Sequence, residues 1–407
     1  MRAKDESERT PNLPGVDGQE DRMSCPQRKR SEKSGPLLAI ALLWGIFLIV
    51  EGCTSATNFS GATAALPTGQ TGSISPLVAA PGNCYIPDGT TACSSSYYTG
   101  TSGITAVAAV TYGSTNALFL GDQNGHIYDA TVSSAPPSSI TCLSGAGSPI
   151  LSLALIPDNT TPSPGTLFYS TSGGVSTETV SSSLSCTSSG TPTGIASSLL
   201  TYSGATAQVI GVTTTGSSFT CKAATTCTSP TGLPNVKGST VTAIAADPKY
   251  PVVYVATSAN GSYAIDIYSV SGSTLSHLGS YTGGELSAPT GIAAFHGPNP
   301  AQNYYTQTTG GCNFLDIANA GDDAITQYVL TYTGPPNAPT GVSLNQFNAA
   351  YMGCDLFRPS SLASIADPST GAPAIFMGED GTSLGPCMGV STGTFGNNVT
   401  AYTAKNE

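Results

Sequence analysis

Beyond residue 52 the chain holds three histidines, His126, His277 and His296, and one arginine, Arg358. General acid–base catalysis, hydrolytic metal sites and bidentate anion binding all draw on these side chains. Their spacing works against convergence. His296 follows an apolar first strand, His126 follows a second-strand turn on the opposite face of such a unit, and His277 lies near an outer strand. Turn or surface roles are the plainer reading for all three. Arg358 is expected in a structural ion pair, the alternative being a guanidinium that binds an anion in a cleft. Serines are too numerous to single out, and no G-x-S-x-G elbow stands in a strand–turn–helix context.

Carboxylates give a second set of candidates. Asp122, Asp322, Asp323, Glu379 and Asp380 recur near equivalent turn positions on one face, where oxygen ligands could hold a Ca²⁺. Solvated turn carboxylates are the commoner case, so no cofactor is required and Ca²⁺ is the one metal left open. Leaving Cys25 and Cys53 aside, nine cysteines remain and no C-x-x-C pair occurs, which removes zinc-ribbon and haem-attachment readings. An exported chain favours disulfides instead. Cys84–Cys93 and Cys221–Cys227 are local candidates, and Cys312–Cys354 would staple an insertion. Cys142 and Cys186 hold similar repeat positions, in Ile-Thr-Cys and Leu-Ser-Cys, which need not bring them together. The connectivity stays open, with one thiol left over.

These residues hang on a repeated unit: an apolar strand, a turn, a Tyr/Phe-Val-Ala strand, an Asn/Gly/Asp turn and a third strand. One copy runs Val241-Thr-Ala-Ile-Ala-Ala-Asp-Pro248, then Val252-Val-Tyr-Val-Ala256 and Ile265-Asp-Ile-Tyr268. Asn124-Gly125 and Asn260-Gly261 supply the positive φ that tight hairpin turns need. Inner-strand centres are expected near Val107, Leu153, Ile195, Ile244, Ile292 and Ile365, in steps of 46, 42, 49, 48 and 73 residues. Such a period of short strands signals an all-β protein with a β-propeller, six blades being the economical count and seven the alternative. The chain ends on a third strand, Phe395–Thr403, with no fourth after it. A ring must close without exposed edges, so a strand from residues 53–100 is expected to complete it. The domain division is then 1–52 as signal segment, 53–100 as tether and closing segment, and 101–407 as propeller, with the long last step placing an insertion within 297–357.

The runs Leu315-Asp-Ile-Ala-Asn-Ala-Gly-Asp-Asp-Ala-Ile-Thr-Gln-Tyr328 and Pro289-Thr-Gly-Ile-Ala293 resemble repeats of the bacterial NHL/lactonase-like ("YVTN") propellers. The resemblance spans residues 103–407 in pattern and is sharp in blades four and five and the last strand. It implies a fold and leaves function open, because such propellers include enzymes, sensors and scaffolds.

Charge is divided unevenly. Residues 1–52 carry eight of the thirteen Lys/Arg and eight acids, so residues 53–407 set five basic groups against sixteen acidic ones and hold the whole net charge of −11. Phosphate backbones need Lys/Arg clusters, so a nucleic-acid partner is excluded. Arg28-Lys-Arg-Ser-Glu-Lys33 precedes the 15-residue apolar run Pro36–Val50, too short to span a bilayer comfortably and matching a signal peptide's apolar core. Met23 would begin a signal of ordinary length, so residues 1–22 need not be translated. Val50-Glu51-Gly52-Cys53 resembles a bacterial lipobox, which implies cleavage before Cys53 and lipid on that residue, although Glu51 departs from the small residue preferred there. By that family's sorting rule, Thr54 would direct a Gram-negative lipoprotein to the outer membrane. The alternative is an uncleaved signal-anchor in the inner membrane, facing the periplasm.

The expectation is a lipid-anchored, exported, non-catalytic propeller that binds a protein or glycan partner at the envelope or acts as a scaffold. Its contact surface is expected on the insertion, at Tyr304, Tyr305 and Tyr351 with Arg358, since tyrosine joins a large contact area to a hydroxyl. The alternative is a lactonase-like or lyase-like enzyme with an active site in the axial channel.

Overall fold

The computed structural model describes residues 63–66 and 70–79 and, with short gaps, 103–296, 313–352, 359–366, 373–379 and 398–405. Its strands form six antiparallel sheets around a central axis. Two N-terminal strands, β1 (Thr63–Leu66) and β2 (Gln70–Ala79), precede five sheets built from consecutive strands. Blade one is β3 (Ile104–Tyr112), β4 (Thr115–Asp122), β5 (His126–Val132) and β6 (Ser139–Ser144). Blade two is β7 (Ser152–Asp158), β8 (Ser163–Thr171), β9 (Gly174–Val180) and β10 (Cys186–Gly190). Blade three is β11 (Ser198–Ser203), β12 (Gln208–Thr213) and β13 (Ser217–Ala223), edged by the short β14 (Thr226–Cys227) and β15 (Thr231–Gly232). Blade four is β16 (Thr240–Ala246), β17 (Val252–Ala259), β18 (Ser262–Ser271) and β19 (Thr274–Tyr281). Blade five is β20 (Pro289–His296), β21 (Asn313–Asn319), β22 (Ala324–Thr333) and β23 (Gly341–Met352).

The sixth sheet joins both ends of the chain: β24 (Pro359–Ala366), β25 (Pro373–Glu379) and β26 (Asn398–Lys405) continue into β2 and then β1. β2 pairs with β26 from Thr71↔Lys405 to Ala79↔Asn398, which supplies the strand that the third-strand ending leaves wanting. Successive inner strands touch around the whole ring, β24 lying against both β20 and β3. The fold is thus a closed β-propeller.

Burial follows from how the blades stack. Ala117–Leu120 of β4 and Val252–Ala256 of β17 are fully buried, residue after residue. Second strands are covered on both faces by neighbouring blades, so polar alternation disappears there. Hydroxyls tie inner strands together. Ser152 Oγ accepts from Leu200 N–H at 2.8 Å, Thr201 Oγ1 accepts from Ala246 N–H at 2.9 Å, and Ser360 Oγ donates to Ile104 O at 2.6 Å. The Ser/Thr-rich composition therefore fastens blade to blade as well as facing solvent.

One expectation needs correction. Ile195 does not centre the third inner strand; it lies before β11, after the left-handed Gly194, and is buried against Phe168 and Phe219. A buried plug residue carries the same apolar signature as a strand centre. Within 297–357, residues 313–352 are three regular strands of blade five, leaving residues 297–312 as the long connection from β20 to β21.

Candidate functional site

A group of ionisable and aromatic side chains lies at the seam between blades four and five. β16 ends at Ala246, and Asp247-Pro248 turns the chain towards β17. Asp247 Oδ1 accepts the backbone N–H groups of Lys249 (2.9 Å) and Tyr250 (2.8 Å), an Asx-turn that fixes the connection. Oδ2 accepts from the hydroxyl of Tyr332 on β22 and, at 3.4 Å, from that of Tyr254 on β17; the two phenols lie 2.7 Å apart. One buried carboxylate thus welds two blades.

Burial pushes the Asp247 carboxyl above its ordinary range, opposed by hydrogen bonds from Tyr332, Tyr250 and Lys249 and by the nearby His296. Burial also drives both phenols well above theirs, and the neighbouring Asp247 adds to it. Both tyrosines therefore stay protonated as donors. Asp247 is 2% exposed and Tyr254 wholly buried, so this core is structural rather than open to a substrate.

The rim above it is accessible. Tyr250 stacks on Tyr332 with centroids 4.2 Å apart, and Lys249 Nζ lies 5.5 Å from the centre of the Tyr250 ring. Lys249 Nζ also lies 3.5 Å from His296 Nε2, while His296 Nδ1 bonds Asn313 Oδ1. His296 ends β20 and Asn313 begins β21, facing each other in register at the base of residues 297–312. Ammonium, imidazole and phenol together suit an acceptor-rich partner group, a carboxylate or a sugar hydroxyl.

The axis is different in chemistry. A void of about 250 Å³ is lined by inner-strand residues such as Val107, Leu153, Leu200, Ile244 and Ile292, with Thr201, Tyr202 and Ser364 as polar exceptions. A smaller void of about 100 Å³ has Thr105, Ser152, Thr242, Thr290, Ser360 and Ser361 among its lining residues. Among the described residues, no acid, histidine, lysine or arginine lines either void.

The histidines are separated, as their spacing implies. His126 bonds Asp122 at 3.0 Å, and His277 bonds Asn235 at 2.7 Å and Ser280 at 3.1 Å. Asp122 is buried and spent on its own turn, also accepting from the backbone of Asn124 and His126. Asp322 is exposed at the β21–β22 turn, so these two carboxylates belong to separate blades. Asp323, Asp380 and the Glu379 side chain lie outside the described residues, as do Tyr304, Tyr305, Arg358, Cys53, Cys84, Cys93, Cys312 and Cys354. Tyr351 belongs to β23, the outer strand of blade five, where it pairs with Ile325 of β22.

Cys221–Cys227 is a disulfide within blade three. Cys142–Cys186 is also a disulfide, which settles a pairing that their similar repeat positions left open. β6 and β10 are outer strands of adjacent blades, and a shift in register at Ile127/Tyr128 skips Cys142 between Thr141 and Leu143, with the two cysteine Cα atoms 5.1 Å apart. The Asp247–Tyr254–Tyr332 group escaped sequence reasoning. Asp-Pro marks a turn, but the tyrosine that completes the group lies 85 residues away.

No known family's sequence profile matches the chain, and no curated protein matches it. Solved structures similar to it include the RRP9 WD40 repeats (TM-score 0.44, 12% identity, covering 75% of this chain and 96% of that one). U3-55K gives the same figures, and a chain of the Mitotic Checkpoint Complex gives 0.44 and 13%, covering 74% and 75%. At such identity and score the likeness decides nothing about function.

Proposed function

We propose that this is an exported, lipid-anchored, non-catalytic propeller of the NHL/YVTN type, which binds a protein or glycan partner at the cell envelope. One observation carries the non-catalytic reading. The axial voids, where an enzyme of this shape would gather its acids and bases, are walled by aliphatic side chains and hydroxyls among the described residues. The accessible cationic and aromatic groups of the blade four–five seam instead stand at the base of residues 297–312, which contain Tyr304 and Tyr305. A propeller rim that presents Lys249, Tyr250 and His296 next in sequence to a tyrosine-bearing segment suits recognition of a polar partner.

The envelope address rests on the basic segment, the 15-residue apolar run and Cys53. Mass spectrometry of the membrane-extracted chain should find an acylated N-terminal Cys53, and its fluorescence should be tyrosine-like, because Trp44 lies in the removed segment. Recovery of peptides from residues 37–52 would reject the lipid anchor in favour of a signal-anchor. Tyr304→Ala with Tyr305→Ala should weaken retention on isolated envelopes without moving Tm. Unchanged retention would reject this loop as the contact.

A further inference from the structure

Asp129 sits on β5 beneath the Cys142–Cys186 disulfide, and a carboxylate oxygen and both sulfurs lie within 4.8 Å of one another. Among the described residues no other group of three or more such ligands is assembled. Asp129 is wholly buried, whereas both cysteines are half-buried and reachable from solvent. Both cysteines, like Leu143, Ala146, Tyr112 and Tyr169, pack against the apolar core shared by blades one and two. Two sulfurs and one carboxylate oxygen, in an apolar surround with one side open, are a donor set for a borderline-soft divalent cation such as Zn²⁺. The surrounding apolar shell would restrict solvent access and strengthen that binding.

We propose that Cys142, Cys186 and Asp129 form a divalent-metal site, specific for Zn²⁺-like ions, when the disulfide is reduced. A thiol or phosphine reductant delivers two electrons to the S–S bond, which breaks, and each sulfur takes up a proton while the reductant is oxidised. Zn²⁺ then displaces both thiol protons to solvent, since the thiolate is the ligand. Two sulfurs and the Asp129 oxygen occupy three tetrahedral positions, and water takes the fourth. The chain then keeps a link between blades one and two in either redox state: a covalent bond when oxidised, a metal bridge when reduced.

The test uses the full chain, reduced with a phosphine and freed of metal, with Co²⁺ as a spectroscopic probe. Reduced protein should take up Co²⁺ with tetrahedral d–d absorption and a sulfur-to-metal charge-transfer band, which Zn²⁺ then abolishes. Oxidised protein should show neither. The C142S/C186S variant should lose the signal and C221S/C227S should keep it, which separates this site from the other thiols. D129N should weaken binding at least about tenfold. Zn²⁺ should also raise the Tm of the reduced wild type but not of C142S/C186S, a readout that survives if D129N folds poorly. Equal Co²⁺ spectra from reduced wild type and C142S/C186S would overturn the proposal, and so would undiminished binding by a folded D129N.

Discussion

Replacing Tyr332 by Phe removes one oxygen and leaves the ring stacked on Tyr250 in place. In the native seam the most favourable arrangement is a relay, with Tyr254 donating to Tyr332 at 2.7 Å and Tyr332 donating to Asp247 Oδ2. Without the Tyr332 hydroxyl, Oδ2 keeps only the 3.4 Å contact to Tyr254, and the buried Tyr254 hydroxyl loses its good acceptor. A hydrogen bond to a charged group contributes about 1.5–3 kcal/mol and a neutral one about 1, so Y332F should cost about 2–4 kcal/mol when Asp247 is ionised.

The pH dependence has a definite sign. Burial places the folded-state pKa of Asp247 above its unfolded value, so its contribution favours folding below the unfolded value and is lost as pH rises through the folded one. Tyr332 counters that rise, and Y332F lifts the folded value further. The penalty should therefore shrink to about 1 kcal/mol near about pH 3, where the acid is protonated, and be largest near about pH 8. Urea titrations at both pH values measure it, and the same change in a D247N background should show only the neutral-bond cost. A penalty independent of pH, or larger at acid pH, would refute the relay.

Two further outcomes are expected. The chain-entropy relation gives about 4 kcal/mol for losing the 44-residue closure of Cys142–Cys186 and about 2 for the 6-residue closure of Cys221–Cys227. Guanidinium unfolding of C142S/C186S and C221S/C227S should follow that order, and the reverse order would exclude loop closure as the main source of the stabilisation. Gly291→Ala would place a Cβ 2.7 Å from Leu362 N and 2.8 Å from Ser361 C, both backbone atoms of the next inner strand. It should cost about 1–3 kcal/mol. Gly232→Ala, which meets nothing within 4 Å, should stay within about 0.5 kcal/mol, and equal midpoints for the two would refute the tight seam.

What the chain disclosed in one dimension was whatever repeats locally. Val252–Ala256 and Ile265–Tyr268 declare themselves because each blade must bury its own strands, and Asn260-Gly261 declares its turn because both residues adopt positive φ. A composite last sheet was also legible, since β26 is a third strand and a ring allows no open edge. Relations between blades were not. Ile195 is apolar for the sake of its neighbours in two blades and so imitates a strand centre. Cys142, which the register skips between Thr141 and Leu143, meets Cys186 of the next blade, and no spacing within one blade contains that contact. The seam group makes the same point more sharply. Asp247 serves its own turn through Oδ1, which the Asp-Pro pair announces, and the next blade through Oδ2, which nothing nearby announces. In a propeller the repeat specifies the blade, while the side chains that make blades cohere are set once per seam, by partners far away in sequence. A reading by period therefore recovers the disc and passes over its welds, and around one of them gather Lys249, Tyr250 and His296.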